Sequence, residues 1–100
     1  MAPSVDLAAL VIDDFRPHLN GTFNLRNGGE QVALRLVRVD RAGESGRAGG
    51  AFSLLFATAQ GAWLPQAIYA VEHAAFGAID IFLVPIGPIA EGNGYQAVFA

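Results

Sequence analysis

The sequence predicts an all-β domain, mainly antiparallel, with one short helix at its amino terminus. Three observations favour this class. Runs of alternating apolar residues recur after residue 20, turn-forming residues separate them, and only the segment at residues 4–15 has helical spacing. Six such runs predict a six-stranded meander that forms either a small barrel or a two-layer sandwich. Both architectures bury alternate residues of each strand, so the sequence leaves both open.

The helix is expected at about residues 4–15. Ser4 is a preferred capping residue, and Asp6 suits the positive end of the helix dipole. Pro17 disfavours helical geometry at Arg16, so the helix is expected to end near Phe15. The apolar residues with helical spacing are Leu7, Leu10, Val11 and Phe15.

Turn residues separate the predicted strands. Asn27-Gly28-Gly29 is a strong hairpin signal, because asparagine and glycine tolerate the positive φ angles of a tight turn. The glycine-rich stretch at residues 41–50 is a predicted loop, and Trp63 lies in the connection at residues 59–66. The predicted strands span residues 22–26, 30–40, 51–58, 67–73, 78–86 and 95–100.

Composition indicates a single domain over residues 1–100 and limits its function. Hydrophobic residues make up 53% and charged residues only 15% of the chain, against averages of about 45–50% and 25%. A net charge of −3 argues against a nucleic-acid partner, although all six basic residues are arginines that precede residue 50. Without cysteine there is no thiolate metal site, and we expect no metal or other cofactor.

The amino terminus lacks the basic region of a secretory signal. No stretch approaches the roughly 20 apolar residues of a membrane helix, because Asp80 and Pro85 interrupt the longest candidate. The sequence therefore predicts no membrane partner. The expected location is the cytoplasm, or outside it as part of an assembly exported without a classical signal peptide.

The most apolar stretch predicts an assembly surface. In "IFLVPIGP", Ile81, Phe82, Leu83 and Val84 leave neither strand face polar. One face is expected in the β core. The other needs cover, either from the amino-terminal helix, which is the simpler explanation, or from a second subunit.

The titratable residues form no convincing catalytic motif. His18 and His73 have no second ligand at metal-binding spacing, and Glu72 and His73 are predicted to point to opposite faces of a strand. Asp14 with His18 lies where a helix ends, which is typical of an ordinary solvated terminus. An enzyme that uses His73, or Asp14 with His18, is the least favoured hypothesis, and the protein is expected not to be an enzyme.

Aromatic residues and arginines support an alternative function. Trp63, Tyr69 and Tyr95 suit the mouth of a barrel that binds a ligand or peptide. Arginine side chains from the region of the glycine-rich loop would add polar contacts. These arginines are Arg38, Arg41 and Arg47. An alternative hypothesis for Trp63 is that it plugs the barrel end.

The chain resembles an uncharacterised family of small bacterial all-β domains of about this length. The motifs that carry the resemblance are Phe52–Phe56, Leu64–Gln66, Glu72-His73, Phe82–Gly87 ("FLVPIG") and Tyr95–Phe99 ("YQAVF"). They are mostly apolar, aromatic or glycine residues, as in a packing signature. The resemblance implies a domain without assigned activity and an association with phage-tail-like and surface-fibre genes; family alone does not give function.

The function that these observations favour is a noncatalytic structural or protein-interaction module. Its partner is expected to be a copy of itself or another protein of a larger bacterial or phage-tail-like assembly. The low charge and the apolar strand at residues 81–84 carry this hypothesis.

Overall fold

The computed structural model describes residues 10–41, 50–59 and 63–99, and these form one short helix and six β-strands. The predicted all-β, antiparallel class is confirmed. The elements are α1 (Ile12–Phe15), a 3₁₀ turn (Arg16–His18), β1 (Thr22–Asn27), β2 (Glu30–Arg41), β3 (Phe52–Thr58), β4 (Ala67–His73), β5 (Gly77–Ile89) and β6 (Gly92–Phe99).

The strands close into a barrel in the order β1-β2-β3-β6-β5-β4. β4 completes the circle by pairing with β1, where Val71 lies opposite Leu25. This pairing decides between the two predicted architectures in favour of the barrel. Closure also leaves no unpaired strand edge among these six strands.

The predicted meander is wrong at one connection. Strands β1-β2-β3 are consecutive neighbours, and so are β4-β5-β6, but β3 pairs with β6 instead of β4, with Phe56 opposite Tyr95. Since β4 returns to lie beside β1, the order is that of a Greek key. β3 ends and β4 begins at the same end of the barrel in both the meander and the Greek key. A short β3–β4 connection therefore fits both strand orders, and its length does not distinguish between them.

Strand β5 is long because it pairs with two strands, β4 and β6, along different parts of its length. Its first half pairs with β4 as far as Leu83, and its second half pairs with β6 from Val84 onward. A register shift between Pro85 and Gly87 bends β5 close to the point where its partner changes from β4 to β6. Gly87 has a φ of 115°, which glycine adopts without steric cost.

Large apolar side chains fill the barrel interior. Alternate residues of every strand point inward, as the strand period of two requires. The fully buried residues are Phe23, Leu25, Leu34, Leu36, Phe52, Leu54, Phe56, Val71, Leu83 and Tyr95. Ile81 is also buried, so the predicted core face of residues 81–84 consists of Ile81 and Leu83.

Four aromatic rings close one end of the barrel, which we call the phenylalanine end: Phe15, Phe52, Phe76 and Phe99. Phe15 of α1 is fully buried and stacks on Phe76 of the β4–β5 turn at 4.8 Å between ring centroids. Phe52 and Phe99, opposite one another on β3 and β6, stack at 4.7 Å. Helix α1 therefore covers an end of the barrel.

The predicted helix ends at Phe15, as α1 does, but the structure differs from the prediction on either side of α1. Val11 is extended, with φ −124° and ψ 165°, and α1 begins at Ile12. Ser4 and the rest of residues 4–9 lie outside the described residues. Beyond Phe15, helical geometry continues as a 3₁₀ turn through His18, with Arg16 in the αR region. Pro17 is tolerated because the first residues of a helical turn need no N–H donor.

Candidate functional site

Several apolar side chains lie on the outer side of strands β3, β4, β5 and β6. Its exposed members are Ile68 (68% exposed), Phe82 (48%), Ile86 (48%) and Val98 (56%). Leu55 and Val84 are partly buried among them. We call these six residues the apolar face. Monomeric proteins rarely expose contiguous apolar patches larger than roughly a few hundred Å².

Strand register holds the apolar face together. Ile68 lies directly opposite Phe82, within the distance at which cross-strand side chains contact. Val84 lies opposite Gln96, which itself lies opposite Leu55 of β3. Val98 lies two residues beyond Gln96 on the same side of β6. The face therefore follows from pairing in the barrel and not from one segment of sequence.

The border of the apolar face is polar, and on the β2 side it includes Arg38, which lies opposite Leu55 and pairs with Asp40. Gln96 is exposed between its members, and Ser53 lies opposite Val98. Asp80, opposite Ala70, is the nearest acidic position along β5. The chain after residue 50 contains only three charged residues, Glu72, Asp80 and Glu91.

The predicted assembly surface is thus divided between two environments. Phe82 is exposed and Val84 is partly buried on the outer side, whereas Ile81 and Leu83 lie in the barrel interior. The prediction that Ile81 and Leu83 contact a partner is therefore wrong. Both are core residues, because successive side chains of a strand point to opposite faces. The expectation that the helix covers the outer side is also wrong for the described residues, since Phe82 stays exposed.

Tyr69, Tyr95 and Trp63 gather at the barrel end opposite the phenylalanine end, which we call the tyrosine end. Both tyrosines are buried. The Tyr69 hydroxyl donates to the Pro65 carbonyl at 2.5 Å, and the Tyr95 hydroxyl accepts from the Leu64 N–H at 2.9 Å. Burial, with a smaller effect of Tyr95, raises the pKa of Tyr69. The hydroxyls therefore hold the β3–β4 connection in place.

Trp63 lies over the tyrosine end. Its ring centroid is 5.6 Å from that of Tyr95, and the side chain is about half exposed. Gly92, the first residue of β6, packs so closely at the same end that a Cβ there would lie 2.0 Å from the Thr58 carbonyl oxygen. The plug interpretation of Trp63 stays a prediction from the sequence.

The structure does not bring the predicted arginines to the tyrosines. β2 starts at the tyrosine end and finishes at the phenylalanine end, where Arg41 lies opposite Phe52. Arg38 is exposed and donates to Asp40 at 2.6 Å. Arg47 lies outside the described residues. A ligand site that combines the tyrosine end with Arg38 and Arg41 is therefore not assembled by this topology.

The two histidines do meet, which the sequence did not reveal. His18 and His73 lie edge to face, with 4.5 Å between ring centroids. Ala75 donates its N–H to His73 Nδ1 at 2.9 Å. Burial, followed by the positive charge that His18 can carry, lowers the pKa of His73.

The other candidate catalytic groups are engaged elsewhere. Asp14 accepts the Val11 N–H at 2.8 Å, so it supports the start of α1 and is not hydrogen-bonded to His18. Glu72 forms an ion pair with Arg26 on the outer side of the barrel, away from the Phe23 ring that contacts His73. The prediction that Glu72 and His73 point to opposite faces agrees with these contacts.

Sequence reasoning missed Ile68, Ile86 and Val98. A signal existed for two of them, because Ile68 and Val98 occupy the outward positions of their strands, where a polar residue is usual. They can be recognised in the sequence as apolar residues at the alternate positions of a strand that point outward. The histidine contact has no such signal, since it joins residues 18 and 73 through the fold.

Neither helical segment in the described part of the chain is long and apolar enough to cross a membrane. Across residues 10–41, 50–59 and 63–99, no three histidine, aspartate or glutamate side chains are grouped to hold a metal ion.

Comparison with known proteins yields one match. A family model described as "Domain of unknown function (DUF6916)" matches residues 10–99. No curated protein and no solved structure matches the chain. The family match confirms the resemblance to an uncharacterised domain family.

Proposed function

The chain belongs to this family of unknown function, and we propose that it is a noncatalytic structural module that associates with a second copy of itself through the apolar face. The observation that carries the proposal is the exposed Ile68–Phe82 pair, continued by Ile86 and Val98. Burial of apolar surface is the main favourable term in protein association.

The partner is a second copy because the apolar face is nearly uncharged. A two-fold contact brings each residue near its own equivalent or a close neighbour, so like charges in the face would repel. Asp80 lies at the border, and Gln96 and Ser53 supply neutral hydrogen-bonding groups. Interfaces between identical subunits are also more apolar than other protein surfaces.

The polar groups of the described residues support a noncatalytic role. The tyrosine hydroxyls bond to the β3–β4 connection, and His73 Nδ1 accepts a backbone N–H. Arg26 and Glu72 pair with each other on the surface. Each of these groups has a structural partner. A ligand inside the barrel has less support, because Phe, Leu and Tyr side chains occupy the interior.

The wider setting stays a prediction from the sequence. Self-association suits a repeating bacterial or phage-tail-like assembly, in the cytoplasm or after export. The absence of nucleic-acid and membrane partners also stays a prediction from charge and hydropathy.

Light scattering after size-exclusion chromatography, over a range of protein concentrations, tests the proposal. We expect the wild type to approach twice the mass of the chain as concentration rises. Phe82→Glu places a charge in the middle of the apolar face and is expected to keep the protein monomeric. Leu19→Glu is the matched control, because Leu19 is similarly exposed (46%) but lies on the segment before β1.

Circular dichroism of both variants establishes that they fold. A wild-type protein that is monomeric at every concentration overturns the proposal. So does a Phe82→Glu variant that keeps the wild-type mass.

A further inference from the structure

Two histidines join the amino-terminal segment to the body of the barrel. His18 belongs to the 3₁₀ turn that follows α1, and His73 ends β4 beside the β4–β5 turn. Their ring centroids are 4.5 Å apart. Phe76 packs against both rings, at 5.3 Å from His18 and 5.5 Å from His73. The pair lies next to the contact between Phe15 and Phe76 that closes the phenylalanine end.

The hydrogen bond to His73 defines its protonation. Because the Ala75 N–H donates to Nδ1, that nitrogen must carry a lone pair, and the neutral ring has its hydrogen on Nε2. A proton added to Nδ1 would face the Ala75 N–H, so two donors would oppose each other. Acid therefore breaks this bond. The same bond argues against a metal at this pair, because a metal on Nε2 would need both ring nitrogens deprotonated.

Neutral His73 is also favoured by its neighbours. The ring packs on Phe23 at 4.3 Å, and apolar surroundings disfavour an imidazolium ion. A charged His18 at 4.5 Å disfavours it further. Both effects lower the pKa of His73.

No carboxylate in the described residues compensates for the charge. Glu72, the neighbour of His73 on β4, pairs with Arg26 of β1. On α1, Asp13 pairs with Arg16 at 3.3 Å, and Asp14 accepts the Val11 N–H. Glu44 lies outside the described residues. None of the described acidic groups forms an ion pair with either imidazole.

We propose that the His18–His73 pair is a pH-sensitive contact that releases the amino-terminal segment from the phenylalanine end in mild acid. In the closed contact both rings pack with Phe76. When both are protonated, they repel each other and the Ala75 N–H loses its acceptor. The segment at residues 10–19 then separates from the β4–β5 turn and exposes Phe15 and Phe76. This inference is independent of the apolar face and of self-association.

The direction of the pH effect follows from linkage. The pKa of His73 in the folded protein lies below the 6.5 of an ordinary histidine, so the unfolded or opened state binds more protons between the two values. The closed contact is thus fully favoured above about pH 6.5. It weakens as the pH falls through that value toward the lowered pKa.

Amide hydrogen exchange followed by nuclear magnetic resonance tests the proposal. The reporters are the Ala75 N–H and the Phe76 N–H, which donates to the His73 carbonyl at 3.1 Å. After correction for intrinsic rates, we expect their protection in the wild type to fall about tenfold or more between about pH 7.5 and pH 5. The Leu25 N–H, in the middle of β1, serves as the internal control.

Two variants make the test specific. His73→Asn supplies an oxygen near the position of Nδ1 but does not titrate, so its protection at Ala75 is expected to be independent of pH over this range. His18→Gln removes the charge that repels a protonated His73, so the closed contact persists further into acid and the midpoint of opening is expected to move to lower pH.

Each outcome bears on the proposal. A wild-type protein without the acid-dependent loss of protection overturns it, and so does a His73→Asn variant that keeps this loss. If His73→Asn does not fold, His18→Gln decides: an unchanged midpoint overturns the proposed coupling of the two rings. All measurements are made on the Phe82→Glu background as well, so that changes in self-association are separated from changes at the histidines.

Discussion

The two ends of the barrel are closed by different physical means. At the phenylalanine end, four rings lie with centroids 4.7–5.7 Å apart, and Phe15 has no exposed surface. At the tyrosine end, two hydroxyl groups bond to the backbone of Leu64 and Pro65. Ring burial is non-directional and contributes more free energy per residue than a hydrogen bond, which is directional.

This difference gives the two ends different roles, one in the stability of the fold and the other in the position of the β3–β4 connection. We infer that the phenylalanine end contributes more to the free energy of unfolding. The tyrosine end determines the path of the connection that makes the strand order a Greek key. Titration also distinguishes them, because the pKa of His73 is lowered beside the phenylalanine end and the pKa of Tyr69 is raised at the tyrosine end.

The largest expected effect is that of Phe15→Ala. It removes the ring that contacts Phe52, Phe76 and Phe99, and truncation of a buried phenylalanine costs about 3–5 kcal/mol. Urea denaturation followed by circular dichroism measures the loss. Leu19→Ala, at an exposed position on the same segment, is expected to change stability by no more than about 0.5 kcal/mol. A Phe15→Ala loss as small as that of the control would contradict this account of the phenylalanine end.

A smaller, local effect is expected for Tyr95→Phe. The ring stays in the core, but the Leu64 N–H loses its acceptor, which costs about 0.5–1.5 kcal/mol. Hydrogen exchange at Leu64 is expected to accelerate, while exchange at Phe76, at the other end, is expected to stay unchanged. Equal acceleration at both ends would mean that the ends are not independent.

The smallest effect is expected from alkaline titration. The pKa of Tyr69 is raised above its ordinary 10.0, and its hydroxyl donates to Pro65. Because the folded pKa is the higher one, the stabilisation is fully present below pH 10.0 and is lost as the pH rises through the raised value. Urea denaturation at increasing pH measures this loss. Tyr69→Phe, which has no phenol to ionise, is expected to lack that component of the pH dependence; an identical pH profile would refute it.

The strands were predictable because each has its own alternation of apolar residues and its own flanking turn residues. The predicted third and fourth strands, 51–58 and 67–73, agree with β3 and β4 to within one residue at each end. β6 was predicted three residues too short at its start, because Gly92 and Gly94 are typical of a turn. In this barrel the glycines allow close approach, and tertiary packing overrides their weak strand propensity.

The candidate site was only partly predictable. Phe82 was predictable because it lies between the apolar residues Ile81 and Leu83, so neither face of β5 is polar at this point. Ile68 and Val98 belong to other strands, and only the register places Ile68 opposite Phe82. The contact between His18 and His73 depends on how the amino-terminal segment crosses the barrel end, which no local pattern records.

The sequence by itself determined the class of fold, because alternation and turn chemistry act between neighbouring residues. It also determined the apolar excess and the scarcity of charge after residue 50, which favour an interaction module. Only the tertiary structure decided that the sheet closes, that β3 pairs with β6, and that the two histidines meet. These features depend on contacts between residues far apart in the chain, whose free energies appear only when the whole barrel has formed.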